Sequence, residues 1–145
     1  MPEVLSGNLE SLIRERLSHT RPPDPERVQM PGVPGDLPRL LRLARMGRLV
    51  PAAVLVPVLD KPEPEILLTV RSESLQQHPG QVSFPGGSAD DSDRSAVSTA
   101  LREAEEEIGL DFSQVSPLGF LDRLDTISDY RVLPVVGLVR SSFVW

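Results

Sequence analysis

Three glutamates of one predicted helix, Glu103, Glu106 and Glu107, are spaced so that their side chains share one face. At about 100° per residue they fall within an arc of about 100°, beside an apolar arc that can pack against a sheet. Like charges at this spacing destabilise an exposed helix by about 0.2–0.5 kcal/mol per pair, and by more in a cleft. A hard divalent cation such as Mg²⁺ would compensate them, because it takes oxygen ligands. The alternative is a solvated acidic face, which is the commoner role of glutamate runs.

The loop before this helix favours the metal interpretation. Phe84-Pro85-Gly86-Gly87 places two glycines where a short strand ends, and we expect them to allow positive φ and a close backbone approach to a ligand. Asp90, Asp91 and Asp93 add oxygen donors just ahead of the helix. Arg102 lies four residues before Glu106 and can pair with it, which would hold that carboxylate in orientation.

The elements that must position these residues follow from hydrophobic periodicity and breakers. We predict an amphipathic helix over 7–17 with Asn8 as its N-cap, and a second helix over 95–108 that ends at Gly109. Five apolar stretches read as strands. The predicted strands are residues 52–60, 65–71, 81–84, 118–123 and 131–140. Strands before and after one long helix predict a mixed sheet flanked by helices, within an α/β fold class.

The segment between the first helix and the first strand is of a different kind. Residues 20–38 hold six prolines and two glycines, so we expect an extended connector. Residues 39–48 resume helical periodicity and carry an arginine at every third position. That stripe is either a solvated helix face or a basic surface for a phosphorylated ligand.

Composition limits the class of protein. The chain has 145 residues, 39% hydrophobic and 25% charged, which fits a single ordinary globular domain. It contains no cysteine, which excludes disulfides, a thiolate zinc site and a cysteine nucleophile. Its longest apolar stretch, Leu49 to Leu59, is too short to cross a membrane, and no basic leader precedes an apolar run, so we expect a cytoplasmic protein. The net charge of −6 and eight carboxylates between Asp90 and Asp111 argue against a nucleic-acid partner.

Residues Gly87 to Leu110 resemble the signature of the Nudix hydrolases, GX5EX7REUXEEXGU, in which U is aliphatic. REAEEEIGL, residues 102–110, fits the second half. The first half departs in two ways, because Asp93 replaces the signature glutamate and eight residues separate it from Arg102. Both departures resemble the coenzyme A pyrophosphatase subfamily, whose loop is rich in aspartate and one residue longer.

An upstream motif of that subfamily, LLTXR(S/A)X3RX3GX3FPGG, resembles residues 67–87, LLTVRSESLQQHPGQVSFPGG. Ten positions agree in register. They are Leu67, Leu68, Thr69, Arg71, Ser72, Gly80, Phe84, Pro85, Gly86 and Gly87. Gln76 stands where the motif has an internal arginine, and His78 of the same loop either touches the nucleotide or is solvated.

The resemblance implies an α/β/α sandwich, a mixed sheet with helices on both sides. Residues 1–145 would form one domain, with 1–50 as a helical and proline-rich extension, 51–140 as the catalytic core, and a C-terminal region short for the family. The implied activity is hydrolysis of the pyrophosphate bond of coenzyme A or its derivatives to 3′,5′-ADP and 4′-phosphopantetheine. Alternatives are hydrolysis of another dinucleotide, such as NADH or ADP-ribose, and a non-catalytic nucleotide-binding module.

The site residues implied by the resemblance divide into three groups. The metal, Mg²⁺ or Mn²⁺, would be held by Gly86, Glu103, Glu106 and Glu107. Catalytic roles fall to Glu103, Glu106 and Arg102, and the substrate-binding residues would be Arg71, Gly80, Phe84 and Gly87. The general base stays open between Glu103, Glu106 and a downstream carboxylate, Asp125 or Asp129. The partner expected is a small molecule, with no nucleic acid and no membrane.

Overall fold

The computed structural model describes residues 3–21, 47–74, 80–126, 128–140 and 143–144. Two helices, eight strands and one 3₁₀ turn lie within these ranges. The helices are α1 (Glu3–Leu17) and α2 (Ala96–Ile108), and the 3₁₀ turn is Phe112–Gln114. The strands are β1 (Val50–Leu59), β2 (Glu65–Ile66), β3 (Thr69–Val70), β4 (Val82–Ser83), β5 (Gly86–Ser88), β6 (Val115–Phe120), β7 (Leu124–Asp125) and β8 (Tyr130–Val139).

A mixed sheet is built around β1 and β8, confirming the predicted fold class. These two strands run parallel, in register from the pair Val50 and Tyr130 to the pair Leu59 and Val139. β2 and β5 pair antiparallel with β1, and β6 and β7 pair antiparallel with β8. β3 and β4 form a separate antiparallel hairpin. Both long strands are apolar runs, as expected for strands buried at the centre of a sheet.

Small residues let α2 pack tightly on this sheet. Ala100 and Ala104 are fully buried on the helix, in one core cluster with Leu55, Val135 and Val139. Because alanine has no side chain beyond Cβ, the helix axis can come close to the strands while its acidic face stays outside. No helix among the described residues is both long and apolar enough to cross a lipid bilayer.

Capping residues fix both ends of α2, which lie within one residue of the predicted limits. At the start, the Ser95 hydroxyl accepts from the Ser98 N–H and the Ser98 hydroxyl accepts from the Ser95 N–H, forming a capping box. At the end, Gly109 adopts φ 68°, and its N–H reaches the carbonyl of Glu105. A left-handed residue after the last turn is the usual position for glycine.

Several sequence predictions were wrong in detail. α1 begins at Glu3, so Asn8 lies inside the helix and is not its N-cap. The stretch 65–71 forms two short strands in different sheets, because the Leu67 N–H donates to Pro57 while Thr69 pairs across the hairpin with Ser83. The strand predicted at 118–123 is Val115–Phe120, and β7 had no periodicity to reveal it. Residues 39–46 of the basic stretch and residues 22–38 of the proline-rich segment lie outside the described residues.

Asp93 anchors the loop before α2. One of its carboxylate oxygens accepts from the Thr99 hydroxyl and from the Asp90 backbone N–H, both at 2.9 Å. Arg102 closes the arrangement with two parallel bonds, from Nε to Oδ1 at 3.0 Å and from Nη2 to Oδ2 at 2.9 Å. The Asp93 side chain is 6% exposed. The Arg102 guanidinium, and next the Asp90 N–H, hold the pKa of Asp93 well below its usual range.

We expect Asp93→Asn to destabilise the fold at neutral pH by about 1–3 kcal/mol, because it removes a charged acceptor of the paired hydrogen bonds. A depressed pKa contributes stability above the unfolded value of about 3.9, and this contribution is lost as pH falls towards the folded value. The stability gap between the wild type and Asp93→Asn should therefore shrink between about pH 5 and pH 2. Urea unfolding across this range measures it.

The matched control for that series is Asp91→Asn, which removes an exposed carboxylate from the same loop. It should leave the unfolding free energy within about 0.5 kcal/mol of the wild type at every pH. A gap between wild type and Asp93→Asn that stays constant with pH would show that the carboxylate charge does not stabilise the loop.

Candidate active site

The glycine pair lies in a strand and not in a turn, which corrects the sequence interpretation. Gly86 and Gly87 belong to β5, and neither has a positive φ. The Leu55 N–H bonds to the Pro85 carbonyl, so the next residue pair, Val54 with Gly86, is of the non-hydrogen-bonded kind. The peptide groups of Gly86 therefore point away from β1, and its N–H donates to the Glu107 carboxylate.

Close approach, and not backbone freedom, is the reason for glycine at these positions. A Cβ on Gly86 would collide with the Ala53 carbonyl and the Val54 side chain. A Cβ on Gly87 would lie 2.6 Å from both Cδ and Oε1 of Glu103. The missing side chain of Gly87 thus leaves the space that the Glu103 carboxylate occupies.

Arg102 connects the helix face to the loop and to β5. Besides its two bonds to Asp93, Nη2 donates to the Ser88 carbonyl at 3.0 Å. Nη1 donates to Glu103 at 3.0 Å and to Glu106 at 3.3 Å. The predicted pairing of Arg102 with Glu106 is therefore present, but Asp93 is the partner held by two parallel bonds. Asp93, expected as a metal donor, is engaged by this cation instead.

Of the three glutamates on this face of α2, Glu107 is the one whose charge Arg102 does not pair with. Although the residue lies at the surface, neighbouring atoms remove part of the hydration of its carboxylate, and this desolvation raises its pKa. The charges of Glu103 and Glu106 act in the same direction, whereas the Gly86 N–H and Arg71 oppose them. A cation placed beside Glu107 would favour its charged form and so oppose this shift.

Arg71 reaches the same region from the β3–β4 hairpin. Its N–H bonds to the Gln81 carbonyl at 2.8 Å, and its carbonyl accepts from Gly80 at 3.0 Å, which extends the hairpin beyond β3. The Nε atom of Arg71 is buried and has no hydrogen-bond partner in the part of the chain that the structure describes. A buried donor without a partner costs free energy, so it marks a place where a ligand acceptor would stabilise the site.

One cavity of about 520 Å³ collects these groups, and we call it the carboxylate cavity. It brings together six of the residues that the sequence singled out. They are Arg71, Phe84, Gly86, Gly87, Glu103 and Glu107. Carboxylates and an arginine thus face one space, an arrangement suited to a cation and an anionic ligand bound side by side.

Three predicted site residues do not line this cavity. Gly80 is in the hairpin turn at φ 69°. Arg102 lies behind Glu103, and Glu106 has a side chain that is 59% exposed and turned towards Arg102. Gln76 and His78 lie outside the described residues.

The two downstream carboxylates that were candidate bases are placed differently. Asp125 is buried and accepts from Arg131 at 3.1 Å, with the Nε atom of Arg123 at 3.7 Å from the same oxygen. Two guanidiniums therefore engage it, which disfavours proton abstraction. Asp129 lies in the turn before β8 at φ 67°, with its N–H bonded to the Thr126 carbonyl.

Sequence reasoning missed the hydroxyl side of the cavity. Thr126, Ser128 and Tyr130 line it opposite the glycines. They are brought there because β8 starts beside the first residues of β1, with Tyr130 paired to Val50. Thr126 and Ser128 precede β8 and Tyr130 is its first residue, and hydroxyls at such positions carry no spacing signal, so the sequence could not have singled them out.

Solved structures share this fold. A Nudix hydrolase from M. smegmatis, RenU, superposes with a TM-score of 0.52 at 22% identity, covering 63% of this chain and 61% of that one. The Ap4A hydrolase of C. elegans superposes with a TM-score of 0.51 at 20% identity, covering 65% of this chain and 70% of that one. Identities this low show a common fold and nothing about substrate.

Curated proteins found by sequence comparison have much higher identity to this chain than these solved structures do. The chain is 52% identical over 106 residues to an uncharacterized Nudix hydrolase, NudL, of Pectobacterium atrosepticum, covering 73% of this chain and 54% of that protein. It is 56% identical over 91 residues to NudL of Yersinia pestis, covering 63% of this chain and 46% of that protein. The chain thus spans about half the length of the curated relatives it matches. The NUDIX domain family matches residues 49–142, which include α2 and all the strands among the described residues. This chain therefore belongs to the Nudix family.

Proposed function

We propose that this chain carries a Nudix pyrophosphohydrolase site whose substrate is coenzyme A or one of its derivatives, giving 3′,5′-ADP and 4′-phosphopantetheine. The observation that carries the proposal is the carboxylate cavity, where Glu103 and Glu107 face the same space as the unpartnered Nε of Arg71. A pyrophosphate is repelled by carboxylates unless a cation lies between them. The cavity therefore suits a metal and a pyrophosphate bound together.

The donor set supports a hard divalent cation, which members of this family generally use. Glu103, Glu107 and the outward-facing Gly86 peptide supply oxygen atoms, and Mg²⁺ and Mn²⁺ prefer oxygen ligands. Within the described residues, no three acidic or imidazole side chains already surround one point closely enough to hold an ion. The carboxylates do not converge because Glu103 and Glu106 both accept hydrogen bonds from Arg102. The Glu106 side chain is exposed, so a change of rotamer can bring its carboxylate towards Glu107. The residues thus fit the metal chemically.

The protein's own groups have distinct tasks in this mechanism. Arg71 binds a phosphate oxygen through Nε, and this supplies the hydrogen-bond acceptor that the buried Nε lacks in the described structure. Arg102 neutralises Glu103 and fixes its rotamer, so that this carboxylate stays oriented towards the cavity. Glu103 or Glu106 accepts the proton of the attacking water. When bound, Mg²⁺ or Mn²⁺ supplies charge neutralisation of the pyrophosphate and a lower pKa for that water.

Substrate identity rests on the upstream segment and not on α2, because the acidic helix is common to the family. The described residues between 67 and 88 include β3, β4 and β5, and they bring both Arg71 and the glycine pair to the cavity. Its resemblance to the coenzyme A pyrophosphatase motif is the basis for proposing coenzyme A. NADH and ADP-ribose as substrates, and a module that binds nucleotides without hydrolysis, are the competing outcomes of the tests below.

We expect Glu107→Gln to lower Mg²⁺-dependent turnover by about 100-fold or more, because a metal ligand loses its charge. The thermal midpoint of the metal-free variant should hold or rise, since repulsion on the helix face is relieved and the amide oxygen still accepts from Gly86. Glu105→Gln, an exposed glutamate outside the cavity on the same helix, is the matched control and should keep full turnover. Full turnover in Glu107→Gln would remove this residue from the metal site.

A second prediction concerns Gly87. Its replacement by alanine forces a Cβ against the Glu103 carboxylate, so we expect a loss of at least about 10-fold in Mn²⁺ affinity, measured by titration calorimetry. Gly119→Ala is the control, because its Cβ would meet Leu17 and Thr20 of the α1 region, away from the cavity. That variant should lower the thermal midpoint and leave Mn²⁺ affinity unchanged. Equal Mn²⁺ affinity in Gly87→Ala and the wild type would contradict the role of Glu103.

The third prediction separates substrates. Coenzyme A should exceed dephospho-coenzyme A, NADH and ADP-ribose in kcat/KM by at least about 10-fold, which corresponds to about 1.4 kcal/mol of transition-state binding. Arg71→Ala should lower this efficiency on coenzyme A, whereas Arg16→Ala on the exposed face of α1 should not. Equal efficiencies on all four compounds would leave a Nudix hydrolase without the coenzyme A preference. Binding without hydrolysis of any of them would favour the non-catalytic module.

A further inference from the structure

A second cavity, of about 690 Å³, adjoins the carboxylate cavity and has a different chemical character. We call it the aliphatic cavity. Its apolar walls come from the segment between β1 and the hairpin and from the end of α2. They are Leu59, Ile66, Leu67, Leu68, Val70 and Ile108. Its volume lies within the range of about 300–1,000 Å³ that is typical of small-molecule sites.

Several of these walls are exposed without any covering element in the described structure. Ile66 is exposed, Leu68 is 50% exposed and Val70 is 70% exposed. Val82, paired with Val70 across the hairpin, is exposed as well. Adjoining apolar side chains at a surface usually mark a binding site, because exposing them to water costs free energy.

The two cavities meet at shared residues. Arg71, Ser83 and Glu107 line both of them. A molecule whose phosphates contact Arg71 therefore has direct access to the aliphatic cavity. In an acyl-coenzyme A the pantetheine arm separates the pyrophosphate from the thioester, so this arm would enter the aliphatic cavity from Arg71 and carry the acyl chain further into it.

The side chains that line the two cavities indicate which part of the substrate each cavity binds. Among the described residues, the apolar walls of the aliphatic cavity are all aliphatic, whereas the carboxylate cavity has the aromatic rings of Phe84 and Tyr130. Nucleotide bases stack on aromatic rings, and a flexible alkyl chain packs equally well on branched aliphatic side chains. The adenine end of the substrate thus fits the carboxylate cavity, and an alkyl chain fits the other.

We propose that the aliphatic cavity binds the acyl chain of an acyl-coenzyme A, with Ile66, Leu68 and Val70 selecting chain length. This inference rests on the proposed function, since it assumes that the coenzyme A pyrophosphate lies at Arg71. Each methylene buried contributes up to about fourfold in affinity. Because the chain is remote from the reacting phosphorus, its burial acts equally on ground state and transition state, and lowers KM without raising kcat.

The test is a chain-length series of free coenzyme A and its acetyl, butanoyl, hexanoyl and octanoyl thioesters, assayed with Mg²⁺ on the full chain. We expect kcat/KM to rise at least 10-fold from the acetyl to the octanoyl thioester, because KM falls while kcat stays the same. In Leu68→Gln this octanoyl-to-acetyl ratio should fall to within about twofold of unity. Leu12→Gln is the matched control, since this leucine is 48% exposed on α1 and lines neither cavity, and its ratio should equal that of the wild type.

Val70→Gln provides a second variant at an exposed position, where polar substitution leaves the core intact. It should reduce the ratio as Leu68→Gln does. Hydrolysis of every thioester with no dependence on chain length, or a dependence that both variants retain, overturns the acyl-chain subsite and leaves the proposed function standing. Absence of hydrolysis of coenzyme A and all its thioesters overturns the proposed function and the subsite together.

Discussion

The guanidinium of Arg102 is the interaction on which the rest of the site depends. It holds Asp93 in the loop, the Ser88 carbonyl at the end of β5, and Glu103 and Glu106 on its own helix. A planar cation with five donors in fixed directions can hold partners from a loop, a strand and a helix at once, and a lysine could not do so with the same geometry. These hydrogen bonds of Arg102 set the position of α2 relative to β5.

The distribution of charge around this centre would let an acidic protein receive the phosphate compound proposed as its substrate. Arg102 lies behind the carboxylates and neutralises them on the side away from the cavity, while Glu107 remains undercompensated on the cavity side. Arg71 faces the cavity from a separate hairpin. Arg102 and Glu103 are therefore held in place before any ligand arrives, which favours electrostatic catalysis, whereas the exposed Glu106 side chain has to rotate to complete the proposed metal site.

Local signals in the sequence predicted the parts of the site that lie on one element. The limits of α2, its glycine end and the shared face of its glutamates all follow from spacing within a few turns. Spacing could not reveal that Gly86 and Gly87 form a strand, because β5 is three residues long and exists through its pairing with β1. The same holds for Asp93, whose partner Arg102 lies nine positions away, and for the division of residues 65–71 between two sheets. Apart from the start of α1, the features that the sequence missed arise from contacts between segments distant in the chain.

The parallel pairing of β1 with β8 has a consequence for how the protein is made. The two strands are roughly 80 residues apart, and every pair in their ten-residue register spans that distance. Contacts so distant in sequence form slowly, since a long loop must close before they stabilise anything. On the ribosome, β1, β5 and α2 emerge before β8, so the acidic helix waits with an incomplete sheet until β8 arrives. Thr126, Ser128 and Tyr130 join the cavity only when this part of the chain has emerged, and a nascent chain that ends before β8 would lack this wall of the site.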